Sequence, residues 1–510
     1  MERGPLSEAA GRAEAATPPL AALVDGAFAI GGALARDDPR YRPRAAQQTL
    51  ARAIAETLES RATLVAEAGT GVGKTFAYLV PLLLSGARAL VSTATKSLQD
   101  QLFGRDLPIL QRALGVPLRA ALLKGRASYL CLQRQKQARA LVDAPEPHLL
   151  RALARIEAWA PSTRSGDLAE LAGLDERSPV IPLVSSTREN CLGAECPEWR
   201  ACHVMRARRE AMAADLVVVN HHLFFADLAL RDGGVAELLP TVDAAVFDEA
   251  HRLVETGVQF QGVALGSAAA LDFARDLLAA GRAHARGLGP WTELHADVEQ
   301  RARALRLASA GALREARAAV KLRWDERAEA LAPPLAALAA TLERCQGALA
   351  AVAGSAPEFV RLAERAAEQR RLADLFARPP AAAGRVRWIE VSARHVRLVE
   401  SPLDIRALLA EQRRAAAKAW IFTSATLGND ARLGWFTDAT GLDDAAVLQL
   451  ASPFDYATNA RIWVPRRLPQ PNGPAHAPAV GALAARLAAR LGGRTFVLTT
   501  TLRALPAIAE

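Results

Sequence analysis

The stretch Ala68-Gly69-Thr70-Gly71-Val72-Gly73-Lys74-Thr75 decides the fold. It follows a short apolar run, Ala62 to Ala66, and opens a helical pattern over Thr75 to Leu84, so it lies where a buried strand turns into a helix. Gly69, Gly71 and Gly73 let the backbone N–H groups of the turn face inward around phosphate oxygens, and the helix N-terminus adds the positive end of its dipole. The turn reads as a phosphate loop with Ala68 in place of the first glycine, with Thr70 and Val72 lending backbone to the cradle. Lys74 is then placed to reach the β and γ phosphates, and the Thr75 hydroxyl to hold Mg²⁺.

Working outward, further apolar runs at Ala89 to Thr93, Leu216 to Val219, Ala244 to Phe247 and Trp420 to Thr423 read as buried parallel strands. Helical patterns such as Ala45 to Leu58 lie between them, the alternation of a doubly wound α/β sheet. The fourth run passes into Asp248-Glu249-Ala250-His251. Asp248 at a strand end suits the Mg²⁺ shell, and Glu249 suits orienting and deprotonating an attacking water. The fifth run ends in Thr423-Ser424-Ala425-Thr426-Leu427.

The spacing of these motifs calls for inserted domains. Lys74 and Asp248 are 174 residues apart, and His251 and Thr423 are 172 apart, whereas one βαβ unit needs only about 30. Four of the five cysteines fall in the first gap: Cys131, Cys191, Cys196 and Cys202. Scarce cysteines that cluster suggest ligation, and four thiolates can wrap one compact centre. Zinc is the rival, although its ligand pairs are usually two to four residues apart. Cys345 stands alone in the second gap and reads as a packed apolar residue.

That second gap, about Gly262 to Ala377, is Ala/Leu/Arg-rich with helical periodicity throughout. Its arginines suit a solvated helix surface, with nucleic-acid contact as the alternative. Alternation over Arg385 to Ser392 and His395 to Glu400 suggests a hairpin leading back to the main sheet. Pro333-Pro334 and Pro379-Pro380 are expected to punctuate helices. Arg461 to Val464 and Thr495 to Leu498 read as the first strands of another α/β domain.

Composition limits the function classes. The chain has 510 residues, 51% of them apolar and 23% charged, which suits several globular cores. Its net charge of +9 leans toward polyanionic partners, but only six of the 63 basic residues are lysine, and so strong an arginine bias discounts the charge as a signal. No uncharged apolar run is long enough to cross a membrane, and Met1 to Pro5 lacks a basic leader. A cytoplasmic protein is expected, with a reducing environment that favours metal-bound thiolates over disulfides.

Together these motifs resemble the iron-sulfur group of superfamily 2 DNA helicases, the XPD-like group of the DinG and YoaA type. Asp248 to His251 matches the group's DEAH box, and Thr423 to Thr426 resembles its motif III. Tyr41, Arg44 and Gln47 resemble its adenine-reading Q motif, and Ser92, Thr93, Thr95, Gln99 and Gln101 its motif Ia, which contacts single-stranded DNA or else forms an ordinary strand-to-helix turn.

The resemblance implies a RecA-like P-loop sheet with an inserted iron-sulfur domain, an inserted helical arch, and the start of a second RecA-like domain. The implied boundaries are 1–122, 210–261 and 385–430 for the first helicase domain, 123–209 for the iron-sulfur domain, 262–384 for the arch and 431–510 for the second. It also implies ATP, Mg²⁺ and a [4Fe-4S] cluster on the four cysteines as cofactors, with Lys74, Asp248 and Glu249 catalytic. Single-stranded and forked DNA are the implied substrates, with 5′ to 3′ travel, in a monomer whose protein partners the sequence does not name. Asn220-His221-His222 resembles a segment lining the DNA path, or else is structural. Trp199, Arg200, Arg206, Arg208 and Arg209 suit a single-strand channel or a solvated helix face.

One departure from the group's pattern matters. No Gln-x-x-Gly-Arg-x-x-Arg run appears before Glu510, and that run carries the arginine that steadies charge on the γ phosphate. The expectation is a fragment of a longer helicase or a truncated product. The alternative to an enzyme is a nucleic-acid-binding or redox-sensing remnant that holds ATP and a cluster without useful turnover.

Overall fold

The computed structural model describes residues 18–139, 147–232, 238–310, 320–379, 384–471, 473–501 and 504–509. Met1 to Pro5, read above for a leader, and Pro380 lie outside the described residues. The chain divides into two compact units, Met1–Pro453 and Phe454–Glu510.

The first unit is built on a seven-stranded sheet. Its strands are β1 (Thr63–Ala68), β2 (Ala89–Thr93), β3 (Ala120–Leu122), β4 (Leu216–Asn220), β5 (Ala244–Asp248), β10 (Ala419–Ser424) and β11 (Ala446–Leu450), in the order β11-β1-β10-β5-β2-β4-β3. All pairings are parallel. Both faces are covered over β1, β2, β4, β5 and β10, which is why those strands read as apolar runs, whereas β11 at one edge is largely exposed. Ala244 and Val246 pack into one core with the helices Leu20–Phe28, Ala45–Ser60 and Lys74–Ser85. Ala245 and Phe247 point the opposite way, into a core shared with the helices His221–Asp232 and Leu253–Gln261. Because the strands are parallel, β1, β5 and β10 end on the same edge, and the motif residues at their ends are thereby gathered. The sheet takes in β11, past the expected boundary at 430/431.

The first insertion has a small core of its own, with Leu130, Leu153, Ile156, Leu168, Val180 and Val184 buried together. The second carries four long helices, Ser267–His284, Trp291–Ala310, Ala328–Ala350 and Pro357–Ala377. It also carries two short strands that its helical periodicity concealed, and these join the later hairpin in a second sheet. β6 (Val263–Gly266), β7 (Val320–Arg323), β8 (Arg385–Val391) and β9 (Val396–Pro402) pair antiparallel in the order β6-β9-β8-β7. β6 and β7 are four residues each, too short for a period-2 signal to stand out.

The expected hairpin is present as β8 and β9, which pair in the smaller sheet, and the chain then returns to the main sheet through the helix Arg406–Ala415 and β10. Ile389, Val391, Val396 and Leu398 are buried in the core of the four helices, so their apolar face has its partner there. Pro333 and Pro334 lie within the helix Ala328–Ala350 rather than ending it. Cys345 is fully buried in the same core, and burial pushes its thiol up to about 12, in keeping with a packing role.

In the second unit the helices His476–Arg490 and Ala504–Ala509 pack together, with the carbonyl of Ile508 approaching Gly481 too closely for a side chain there. The runs 461–464 and 495–498 are not strands. Ile462 and Phe496 are almost fully exposed, and among the described residues no neighbouring strand pairs with either run. A ladder needs a partner, and β propensity alone does not supply one.

Candidate active site

The phosphate loop links β1 to the helix Lys74–Ser85, and Gly71 (φ 91°) and Gly73 (φ 89°) adopt the left-handed backbone that the loop demands. Arg44 Nη1 donates to the Gly71 carbonyl at 2.9 Å and Gln47 Nε2 to the Gly73 carbonyl at 3.0 Å. Tyr41 Oη donates to Gln47 Oε1 at 3.4 Å. The three Q-motif candidates therefore brace the loop from one side. Lys74 Nζ donates to the Ala68 carbonyl at 3.4 Å.

At the end of β5, Asp248 is buried with both carboxylate oxygens engaged. Oδ1 accepts from the Glu249 N–H at 3.0 Å and Oδ2 from the Tyr78 hydroxyl at 3.2 Å. Burial pushes its pKa up to about 6, the Glu249 charge adds to this, and Lys74 pulls against it. Glu249 adopts φ 54°, a left-handed conformation that costs a non-glycine residue about 1 kcal/mol and swings its carboxylate out of the strand direction. There Ser424 Oγ, at the end of β10, donates to Glu249 Oε2 at 3.2 Å. His251 Nδ1 lies 2.7 Å from the same Ser424 Oγ and 3.3 Å from Glu249 Oε2. The DEAH and motif III candidates thus form one polar cluster beside the phosphate loop.

Three contributors escaped the sequence reading. Tyr78 follows Lys74 by one helical turn, a spacing that puts both on one face, and its hydroxyl meets Asp248 with Thr75 alongside. Glu67, a charged residue in an otherwise apolar strand, accepts from the N–H groups of Leu427 (2.5 Å) and Gly428 (3.2 Å) and so pins the turn after β10 to the root of the phosphate loop. The third is β11: Gly69 N–H donates to the Leu450 carbonyl at 3.0 Å, and Ser452 Oγ donates to the Thr70 carbonyl at 2.7 Å. A Cβ at position 69 would lie 2.6 Å from the Ser452 nitrogen, so this glycine is required by close approach.

The motif Ia candidates are largely spent on the fold. Thr95 caps the helix Lys96–Gln101 by accepting from Leu98 N–H, and Gln99 is buried with Nε2 on the Leu123 carbonyl. Ser92 Oγ lies 2.7 Å from His221 Nδ1. That imidazole is buried, which pushes its pKa down to about 3, and it faces the backbone of Glu249 and Asp248. His221 is thus held to β2 through Ser92 and packs beside Phe247 at the root of the DEAH turn.

Cys131, Cys191, Cys196 and Cys202 line one cavity of about 160 Å³, bounded also by the helices Ser267–His284 and Pro357–Ala377 of the second insertion. Arg126 Nη1 donates to Cys191 Sγ at 3.0 Å. Burial pushes the Cys131 and Cys196 thiols up, and the other thiols of the set add to it, so the four sulfurs share one electrostatic neighbourhood. An all-sulfur donor set around one cavity fits the chemistry of a cluster. As the side chains stand, however, no group of three or more His, Cys, Asp or Glu among the described residues is drawn together closely enough to hold a metal ion. Arg208 is half-buried near Arg126 and two of the thiols, whereas Arg206 is exposed and donates to the Arg164 carbonyl at 2.5 Å. Among the described residues no helix is long and apolar enough to cross a membrane.

The sequence matches the family model described as DEAD/DEAH box helicase over residues 46–155. It is 38% identical over 493 residues to the ATP-dependent DNA helicase YoaA of Escherichia coli (strain K12), covering 95% of this chain and 75% of that protein. It is 34% identical over 508 residues to the ATP-dependent helicase DinG of Mycobacterium tuberculosis (strain ATCC 25618 / H37Rv), covering 92% of this chain and 72% of that one. A solved structure titled as S. tokodaii Xpd4 aligns with 91% of this chain and 73% of its own at 11% identity and a TM-score of 0.43, too loosely to add to the argument. With over a third of its residues shared across three quarters of a YoaA protein, and with its phosphate loop, DEAH turn and Ser424 in one cluster, the chain belongs to the YoaA and DinG family of ATP-dependent DNA helicases.

Proposed function

We propose that this chain hydrolyses ATP at the edge where β1, β5 and β10 end, and uses the energy to travel 5′ to 3′ along single-stranded DNA and open duplex or forked DNA in repair or replication. The observation that carries the reading is the meeting of Asp248, Glu249, His251 and Ser424 beside the phosphate loop. Gly69 to Gly73 cradle the phosphates, Lys74 neutralises the β and γ oxygens, and Tyr41, Arg44 and Gln47 brace the loop toward the base. Thr75 and Asp248 would hold Mg²⁺, which when bound draws negative charge off the γ phosphate. Glu249 orients the attacking water and takes its proton. Ser424 and Thr426 report the state of the nucleotide to the DNA-gripping elements, starting from the Ser424 bond to Glu249.

Cys131, Cys191, Cys196 and Cys202 would hold a [4Fe-4S] cluster that stiffens the first insertion as a strand guide. In the same reading, residues 123–209 form the iron-sulfur domain, 262–384 the arch, and the residues after 430 begin the second helicase domain.

The test is single-strand-stimulated ATP hydrolysis by the anaerobically purified chain, with Lys74→Ala as the blank. Stimulation that falls by about a hundredfold or more in the variant is the expected result. Hydrolysis that survives the substitution unchanged sinks the assignment.

A further inference from the structure

Lys124 lies just past β3 with its side chain only 2% exposed. Its Nζ is 2.6 Å from Asp100 Oδ1 and 2.6 Å from Asp167 Oδ2. Asp100 belongs to the helix Lys96–Gln101, which β2 feeds; Asp167 belongs to the cysteine-bearing insertion, where it caps a short turn through Ala169 N–H and bridges to Tyr129. Tyr129 closes the arrangement by accepting the Lys124 N–H at its hydroxyl, 3.0 Å away. One buried ammonium therefore joins three segments distant in sequence. Burial pulls its pKa down, but the two carboxylates outweigh burial and hold it above the ordinary lysine value, so the charge persists. Lys124 and Asp167 are shielded and resist being pulled apart, because separating them leaves uncompensated charge out of water, whereas Asp100 is 47% exposed and its bond to Lys124 is partly screened by solvent.

The same helix is connected to the nucleotide site. His221 packs beside Phe247, the residue before Asp248, with ring centroids 6.2 Å apart, and is bonded to Ser92 on β2, the strand that leads into Thr95 and the helix Lys96–Gln101. Gln99 of that helix also holds the Leu123 carbonyl, next to Lys124. We propose that Lys124 is a positioning residue that makes the helix after β2 and the cysteine-bearing insertion move as one body, delivering to the insertion any displacement that begins at the nucleotide. The proposal rests on the ATP-driven reading above and names the residue by which that site reaches the insertion.

The experiment is amide hydrogen exchange on the full chain, with and without a Mg²⁺-bound non-hydrolysable ATP analogue and an oligothymidine strand. Exchange is followed over the phosphate loop, over 96–101 and over 163–171. In the unsubstituted chain the last two segments are expected to change together. Lys124→Met removes the link but endangers folding, so Asp100→Ala is the decisive variant: it takes away the acceptor on the helix side and leaves the Lys124 bond to Asp167. There the response at 163–171 is expected to shrink roughly twofold or more while that at 96–101 stays. A purely structural ion pair would lower the melting temperature and leave the joint response intact, and that result overturns the proposal. The two readings fail separately. A phosphate loop without protection counts against the nucleotide site, whereas a protected loop with an unresponsive 163–171 in the unsubstituted chain overturns the coupling.

Discussion

The Tyr78 hydroxyl donates to Asp248 Oδ2 at 3.2 Å, so a residue one turn into the phosphate-loop helix fixes the carboxylate at the end of β5. Tyr78 is fully buried, and its hydroxyl sits between Asp248 and Thr75. Groups that orient a metal-binding carboxylate typically change metal affinity 10- to 100-fold when lost. Tyr78→Phe is therefore expected to raise the Mg²⁺ concentration for half-maximal ATP hydrolysis by about tenfold or more with little change in the far-ultraviolet spectrum. A Mg²⁺ titration checks this, and an unchanged midpoint removes Tyr78 from the site.

Glu67 takes two N–H groups from the turn after β10 onto one oxygen. Glu67→Ala leaves both donors without that partner and is expected to cost about 1–3 kcal/mol of stability, with Glu67→Gln milder because its carbonyl still accepts. Urea unfolding measures the difference. If the alanine and glutamine variants unfold together with the parent, the turn does not depend on this carboxylate.

His221 gives a pH signature. Its pKa in the folded chain is pushed to about 3, well below the 6.5 of an ordinary histidine, chiefly by burial. The unfolded chain therefore binds the proton more readily, and the stability from the neutral ring is complete above 6.5 and lost as pH falls from there toward 3. The slope from this one group is about 1.4 kcal/mol per pH unit inside that window. His221→Gln is expected to be less stable at pH 7 and to flatten the acid side of the stability profile. A profile parallel to the parent's between pH 6.5 and 4 contradicts the assignment.

Iron content separates the cysteines. Serine at any of Cys131, Cys191, Cys196 or Cys202 is expected to abolish stoichiometric iron and the accompanying visible absorbance, whereas Cys345→Ser, buried in the helical insertion, leaves both intact. Zinc in place of iron in the anaerobic preparation would refute the cluster.

Five of the seven strands of the main sheet were readable because they are buried on both faces and mainly apolar, whereas β3 is only three residues long and β11 is largely exposed. Ala89 to Thr93 is β2 residue for residue, and the other four expected strands are shifted by a residue or two. The phosphate loop and the DEAH turn were legible because their chemistry depends on residue type at fixed spacing. Tyr78 and Glu67 were not, since their roles depend on partners 170 and 360 residues away. Four-residue strands hid inside a helical pattern for want of length, and the runs at 461–464 and 495–498 had β composition without a neighbour.

The bonds from Gly69 to Leu450 and from Ser452 to Thr70 have a mechanical consequence. The covalent thread that leaves the first unit at Pro453 departs directly from the loop that holds phosphate. Tension applied to any later part of the polypeptide is borne first along β11 and at those two bonds, before it reaches the interior of the sheet. A shift of Gly69 or Thr70 and a pull on the chain beyond Pro453 would therefore meet on the same few backbone atoms.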